Sequence, residues 1–405
     1  MKRKLLFCLI VLIMGCYGFS LGKKYDVDNI FKDNIIKNNN MISMMLEQNS
    51  GAGDYLQVAQ SNWPTEGYIF NKERSGCENG GELSWDDTRK TVVMMGNISD
   101  KCYVYFDKVS IKLLADYIKS QYTGIQGENN IYYHDGTLEN GISDNSYRYA
   151  GASEEVNNFV CFGSTATPCP NDNLYRIIGV IDGKVKLIKA NVATSALLGT
   201  DGDYNDSIGD QNYDDSTSID IYYWNSFTVT NTWSESKLNK TNLNTNFLNN
   251  IGDAWASKIA ITTWKVGGNT SANISKSVPA VAYQNEIVNP QPGSTSTTGE
   301  TEYNAKIGLM YASDYGFAAS PSAWTTHLYN YNKNANWMYM GYDEWTISRS
   351  STDSDLAFAL SRYGTIDDVD CYVTRTYKVR PCFSLESFVT YKSGTGTIND
   401  PIVIN

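Results

Sequence analysis

Short runs of alternating apolar and polar residues dominate the chain from Asp54 onward. GYIFNKE, GELSW, KTVVMMG and KCYVYFDK follow one another up to Lys108, separated by Asn-Gly, Asp-Asp and Ser-Asp turn signals. This spacing predicts short β-strands with one buried face. In CYVYFD, residues Cys102, Val104 and Phe106 share a face, so Cys102 is expected to point inward. Around Ser110 the period changes. Leu113, Leu114, Tyr117 and Ile118 fall on one helical face, with Ser110 as N-cap and Gly124 as stop. Further on, LYRIIGV and KVKLIKA flank Asp182-Gly183, the pattern of a hairpin with a type I′ turn. Between Thr241 and Ala260 helical spacing runs through Leu243, Phe247, Leu248 and Ile251, breaks at Gly252, and continues with Trp255, Ile259 and Trp264. Later strands are expected in AKIGLMYA, NWMYM, WTISRS, DCYVTRT and YKVRPCFSL, and a surface loop in NPQPGSTSTTGE at 289–300. Many short strands with few helices give the class α+β.

The same pass suggests an order of domains. MKRK followed by LLFCLIVLIM has the form of an export leader over residues 1–22, and Ile13-Met14-Gly15-Cys16 resembles a lipobox with Cys16 as the lipidation site. Ordinary cleavage or an uncleaved anchor are the alternatives. Residues 23–53 read as a helical or flexible spacer, 54–108 as a small β-sandwich-like domain, 109–150 as a linking helix and loop, and 151–405 as the main domain. Export makes disulfides the expected state of the six cysteines beyond the leader. They form local couples, Cys77/Cys102, Cys161/Cys169 and Cys371/Cys382, separated by 25, 8 and 11 residues. The last couple is expected to bridge a hairpin, DCYVTRT/YKVRPCF. Zinc is the competing reading, but no couple has C-x2-C spacing.

Composition narrows the chemistry. The net charge of −11 comes without a basic cluster, which argues against nucleic-acid binding. Two histidines in 405 residues leave little general-base or metal chemistry, whereas 29 tyrosines favour contact surfaces. Seven aspartates crowd 201–220, and Asp201, Asp203 and Asn205 match positions one, three and five of a calcium loop. Asp206 stands where such a loop needs glycine, and no glutamate closes it, so a solvated acidic loop competes with a calcium site. No nucleophile elbow or Cys/His arrangement occurs. His327 beside Trp324 and Tyr329 lacks a recognisable nucleophile. Asp343-Glu344 is a carboxylate pair, but neighbours on a strand point to opposite sides.

YRIIGVIDGKVKLIK, AKIGLMYASDYGFAAS, WTISRS and VRPCFSL before SGTGTINDPIVI together resemble surface and secreted proteins of Gram-positive gut bacteria. Their shared domain closes on V-R-P-x-F-x-L, and the resemblance covers about residues 109–405. It implies a C-type-lectin-like fold, the scaffold also used by formylglycine-generating enzymes. Within that fold Trp345, Arg380, Pro381 and Phe383 are expected to be structural, with Phe383 and Leu385 facing inward. The segment before the closing motif is expected to form the ligand face, through Arg349, Asp355, Arg362, Tyr363, Asp367, Tyr372, Arg375 and Tyr377. The function so implied is an extracellular or cell-surface binding protein, its partner a protein or glycan outside the cell and its membrane contact the N-terminal anchor or lipid. No cofactor is expected, apart from calcium as a candidate. The alternatives are an extracellular enzyme, either a copper oxidase using Cys371 and Cys382 or a glycoside hydrolase, and a structural envelope component.

Overall fold

The computed structural model describes residues 42–58, 67–86, 89, 91–95, 100–109, 112–205, 219–292, 299–369 and 371–405. The expected leader, Cys16 and residues 23–41 of the expected spacer lie outside these. Among the described residues no helix is long and apolar enough to cross a membrane. The chain divides into two units, Met1–Ile111 and Lys112–Asn405.

In the first unit, β1 (Ile42–Glu47), β2 (Tyr55–Val58), β3 (Tyr68–Cys77) and β6 (Cys102–Lys108) form a four-stranded sheet in the order β2-β1-β6-β3. A hairpin, β4 (Glu82–Asp86) with β5 (Thr91–Met95), packs against it. The alternation seen in CYVYFDK is realised: Cys102, Val104 and Phe106 are buried, and Trp85 meets Phe106 edge-on at 5.0 Å between ring centroids. Cys102 is directly opposite Cys77 and the two are bonded. Sequence reading placed Ile42–Glu47 in a spacer. Instead β1 lies parallel to β6 and buries Met44 and Leu46, because its apolar positions alternate over too few residues to stand out from their Asn-rich surroundings.

The second unit starts earlier than residue 151, since residues 112–150 build part of its main sheet. That sheet has nine strands. Along its path the order is β21 (Cys382–Ser384), β12 (Lys184–Lys189), β11 (Leu174–Ile181), β10 (Phe159–Cys161), β23 (Ile402–Ile404), β22 (Thr390–Ser393) and β7 (Lys112–Leu113). Off this path, β9 (Tyr147–Tyr149) pairs with β11 and with β8 (Ile131–Tyr133). Helix α1 (Leu114–Lys119) is therefore not a linker. Leu114 and Ile118 enter the main core, and its N-cap is Leu113 with no side-chain hydrogen bond, while Ser110 lies outside the described residues. The β11–β12 hairpin forms as expected around Asp182 and Gly183, at φ 50° and 75°. Seven of the eight β11 residues are buried, which is why the run is apolar almost without interruption.

A second, four-stranded sheet follows the order β15 (Gly268–Asn269), β17 (Glu344–Ser350), β18 (Ala357–Leu360) and β19 (Ile366–Asp367). Two small ladders join β13 (Tyr222–Tyr223) to β20 (Thr376–Tyr377) and β14 (Thr262–Lys265) to β16 (Glu302–Ala305). The helical spacing at 241–260 becomes a π-helical stretch, Leu238–Phe247, continued by Leu248–Ile251 and broken at Gly252, where φ is 79°. Trp264 belongs to β14 and not to that helix. Two short helices, α2 (Pro279–Tyr283) and α3 (Ala312–Ala318), belong to the same unit. Three expected strands are absent. AKIGLMYA gives only its first residue, Ala305, to β16 and its last, Ala312, to α3, with irregular backbone between. NWMYM is a turn, with Trp337 and Met338 buried, and most of DCYVTRT is irregular.

Candidate functional site

Strand β17 carries the first correction. EWTISRS reads as a two-faced strand, yet all seven residues are buried. Arg349, expected on the ligand face, is 1% exposed, and its guanidinium donates to the carbonyls of Val266, Pro292 and Glu300 and to Asn231 Oδ1. Those bonds tie four separate chain segments together, which is a structural role. Tyr377 also leaves the face: it is buried, with its ring 4.3 Å from that of Trp345. Trp345 Nε1 donates to the Tyr222 carbonyl at 2.8 Å.

The residues expected to be structural are placed so. Arg380 Nε donates to Glu344 Oε1 at 2.7 Å and its Nη2 to the Met338 carbonyl, with both side chains of the ion pair buried. Burial pushes the Glu344 carboxyl above its usual range, partly offset by Arg380. Pro381 precedes β21, an edge strand where a missing N–H is tolerated. Phe383 is buried among Phe162, Tyr175 and Phe247, and Leu385 is buried too.

The Cys371–Cys382 bond does not form; both cysteines are free and buried. The hairpin that would bring them together is missing, because each half pairs elsewhere. Cys382 lies opposite Ile188 in the main sheet, and Tyr372 bridges to Leu356. Cys371 has Tyr377 beside its thiol, whereas Cys382 has Lys186, Asp314 and Arg380 in its surroundings. Burial pushes both thiols up to about 12. Cys161 and Cys169 are bonded as expected.

Of the acidic segment, 206–218 lie outside the described residues. Asp203 is buried and spans the start of the π-helical stretch. Its Oδ1 accepts from Ser226 N and Oγ, and its Oδ2 from Leu238 N. Asp201 Oδ1 accepts from Asn246 Nδ2 at 2.6 Å, and Asn205 N donates to the Ile221 carbonyl. The carboxylates are thus engaged by protein donors.

What remains of the expected face is exposed or half-buried. Tyr363 is 71% exposed on the turn between β18 and β19, with the Arg362 guanidinium 5.8 Å from its ring. Tyr372 is exposed, with the Arg375 guanidinium 5.9 Å from its ring. Asp355 and Asp367 are half-buried. Asp355 offers its carbonyl to Val373 N, and Asp367 Oδ1 accepts from Asp368 N and Val369 N. Tyr342 and Val369 add exposed apolar area to this region. The turn is held from below: Asp343 Oδ1 accepts from Arg362 N, and the Tyr339 hydroxyl donates to the Arg362 carbonyl at close range. Asp343 and Glu344 hence do separate jobs, one bracing a surface turn and one pairing with a buried arginine.

Sequence reasoning missed a buried polar hub. Asp314, on α3, receives Lys186 Nζ at 2.5 Å and Arg148 Nη1 at 3.3 Å. Burial pushes its carboxyl up, but Lys186 and Arg148 outweigh this and hold it below its usual range. Arg148 also pairs with Asp144, which accepts from the Tyr283 hydroxyl. Next to it Glu286 accepts the N–H groups of Ala312 and Ser313 at the start of α3, and Ser348 donates to it at close range. His134 is packed against Phe317 and Trp324, its imidazole pushed down to about 3 by burial and by Arg148, hence neutral. One signal was available: lysines inside the otherwise apolar run KVKLIKA, of which Lys186 and Lys189 are buried. Comparison with known protein families, curated proteins and solved structures finds no match to this chain.

Proposed function

We propose that this is an exported, cell-surface binding protein whose second unit, on a C-type-lectin-like scaffold, presents residues 342–375 to a protein or glycan outside the cell. The reading is supported above all by the pairing of tyrosine with arginine on exposed, irregular backbone: Arg362 with Tyr363, and Arg375 with Tyr372. Such residues carry disproportionate energy in interfaces, and they sit here on turns braced by buried strands. The scaffold assignment rests on the motif order and on β7, which opens the second unit and pairs with β22 close to its end. Export rests on the leader pattern.

The test has two steps. The exported body, residues 23–405, is screened against glycan and surface-protein arrays. Tyr363→Ala combined with Arg375→Ala is then measured against the strongest hit. The expected result is binding at least about tenfold weaker, equivalent to ~1.4 kcal/mol, with an unchanged melting temperature. A double variant that binds as well as the parent removes the ligand from this face.

A further inference from the structure

A cavity of about 330 Å³ opens on the second unit, away in sequence from the face just described; its lining includes Gln121, Asn130, Tyr149, Asn157 and Thr395. Several chain segments contribute, β9 with Tyr149 and the residues before β10 with Asn157 among them. The residues after α1 supply Gln121, and a turn with Asn129 and Asn130 both in the left-handed region, at φ 61° and 57°, follows it. Asparagine tolerates that conformation better than other side chains. Asn129 Nδ2 donates to the Gln121 carbonyl and fixes the turn to the end of the helix. Another segment lies near the C-terminus, where Thr395 is anchored through its N–H and hydroxyl to Asp400 Oδ2.

Tyr149 is the informative residue. It is 3% exposed, its ring belongs to the main core, and its side chain lines the cavity. Among the described residues its hydroxyl has no hydrogen-bond partner, and neither have the side-chain amides of Asn130 and Asn157. The hydroxyl is not sealed in the core but reaches the cavity, where a phenol can donate to and accept from a ligand as a phenylalanine ring cannot. No charged side chain lines the cavity. An anion, a cation or a phosphate would therefore find no countercharge. Primary amides and a phenol each both donate and accept, which matches a ligand whose own groups do the same, as hydroxyls do. The volume lies near the lower limit of small-molecule sites, about 300–1,000 Å³, which suits one ring and not a polymer.

We infer that this cavity is a binding site for a neutral polyhydroxylated ring, a monosaccharide or the terminal residue of a glycan, with the Tyr149 hydroxyl and the Asn130 and Asn157 amides as its hydrogen-bonding floor and rim. It is independent of the face at 342–375, and either site stands if the other fails.

The experiment is saturation-transfer NMR on residues 23–405 with glucose, galactose, mannose, N-acetylglucosamine and N-acetylgalactosamine at millimolar concentration. At least one sugar is expected to show transfer. Tyr149→Phe keeps the ring in the core and removes only the hydroxyl, and should weaken that sugar about tenfold. Its melting temperature checks the fold. Asn157→Ala, an exposed position, serves as a second variant free of packing effects and should weaken the same sugar. Absence of transfer from all five sugars, or transfer that survives both replacements unchanged, overturns the assignment.

Discussion

Trp345 and Arg380 are completely enclosed, but they hold the fold in different ways. Trp345 fills volume and bonds through its indole N–H, so Trp345→Ala leaves a cavity and an orphaned Tyr222 carbonyl; a loss of about 3–5 kcal/mol is expected in urea unfolding. Arg380→Ala leaves Glu344 buried with no countercharge, and breaking such a pair costs a similar ~3–5 kcal/mol. Arg349→Ala belongs with these two, since four bonds to distant backbone and side-chain groups would be lost; a loss confined to ligand binding would contradict its structural role. Glu286 lends itself to a pH test. Burial, with Asp314 adding to it, holds its carboxyl above the usual 4.5. The folded state thus takes up the proton more readily than the unfolded state, and the stability this contributes is fully present below 4.5 and lost as pH rises through the raised value. Glu286→Gln removes that dependence. Melting temperatures of both proteins should show the wild type gaining on the variant as pH falls from neutral towards 4.5. A difference that stays constant would place the Glu286 titration elsewhere.

At the level of elements, β11 contains two glycine constraints of different origin in or beside one hairpin. Gly183 has φ 75° and nothing within 4 Å of where a Cβ would stand. Gly183→Ala therefore carries only the left-handed backbone cost, about 1–2 kcal/mol. Gly179 faces β9, and a Cβ there would come to 2.1 Å from the Tyr147 carbonyl oxygen. Gly179→Ala must part β9 from β11, and with it the strand that carries Arg148 and Tyr149. Its unfolding midpoint should fall well below that of Gly183→Ala; equal midpoints would mean that β9 adjusts at no cost. The hairpin itself was readable from a dipeptide between two apolar runs. The closeness of β9 was not, since a glycine in a strand announces either a bulge or a close approach without saying which.

Over the whole molecule, the cysteines report how far local spacing carries. Two couples are bonded, and Cys371 and Cys382 are not. Each bond closes a short loop, and the chain-entropy account gives about 3 kcal/mol apiece. Non-reducing peptide mapping of residues 23–405 should find Cys77–Cys102 and Cys161–Cys169. Thiol titration should find two reactive groups after denaturation and almost none before, because both free thiols are buried and pushed up to about 12. Rapid labelling of either cysteine in the native protein would show that its surroundings open.

The sequence by itself determined what depends on neighbours along the chain: the α+β class, the hairpin at Asp182-Gly183, the inward face of CYVYFD, the helical stretch broken at Gly252, and the local disulfides. Each follows from a period, a turn dipeptide or a short loop. It also placed Tyr363 and Arg375 at or beside turns, where the one is exposed and the other half-buried. Tertiary structure alone decided the rest. Ile42–Glu47 becomes a strand because β6 lies alongside it, and Cys371 and Cys382 part because β21 pairs with β12. Arg349 and Tyr377 go inside because other segments close over both faces of their strands. A two-residue period tells which side chains share a face; only the elements packed on that face decide whether it meets water or protein. The same holds for Tyr149, whose neighbours in the cavity come from segments about 250 residues apart, a separation that no local pattern records.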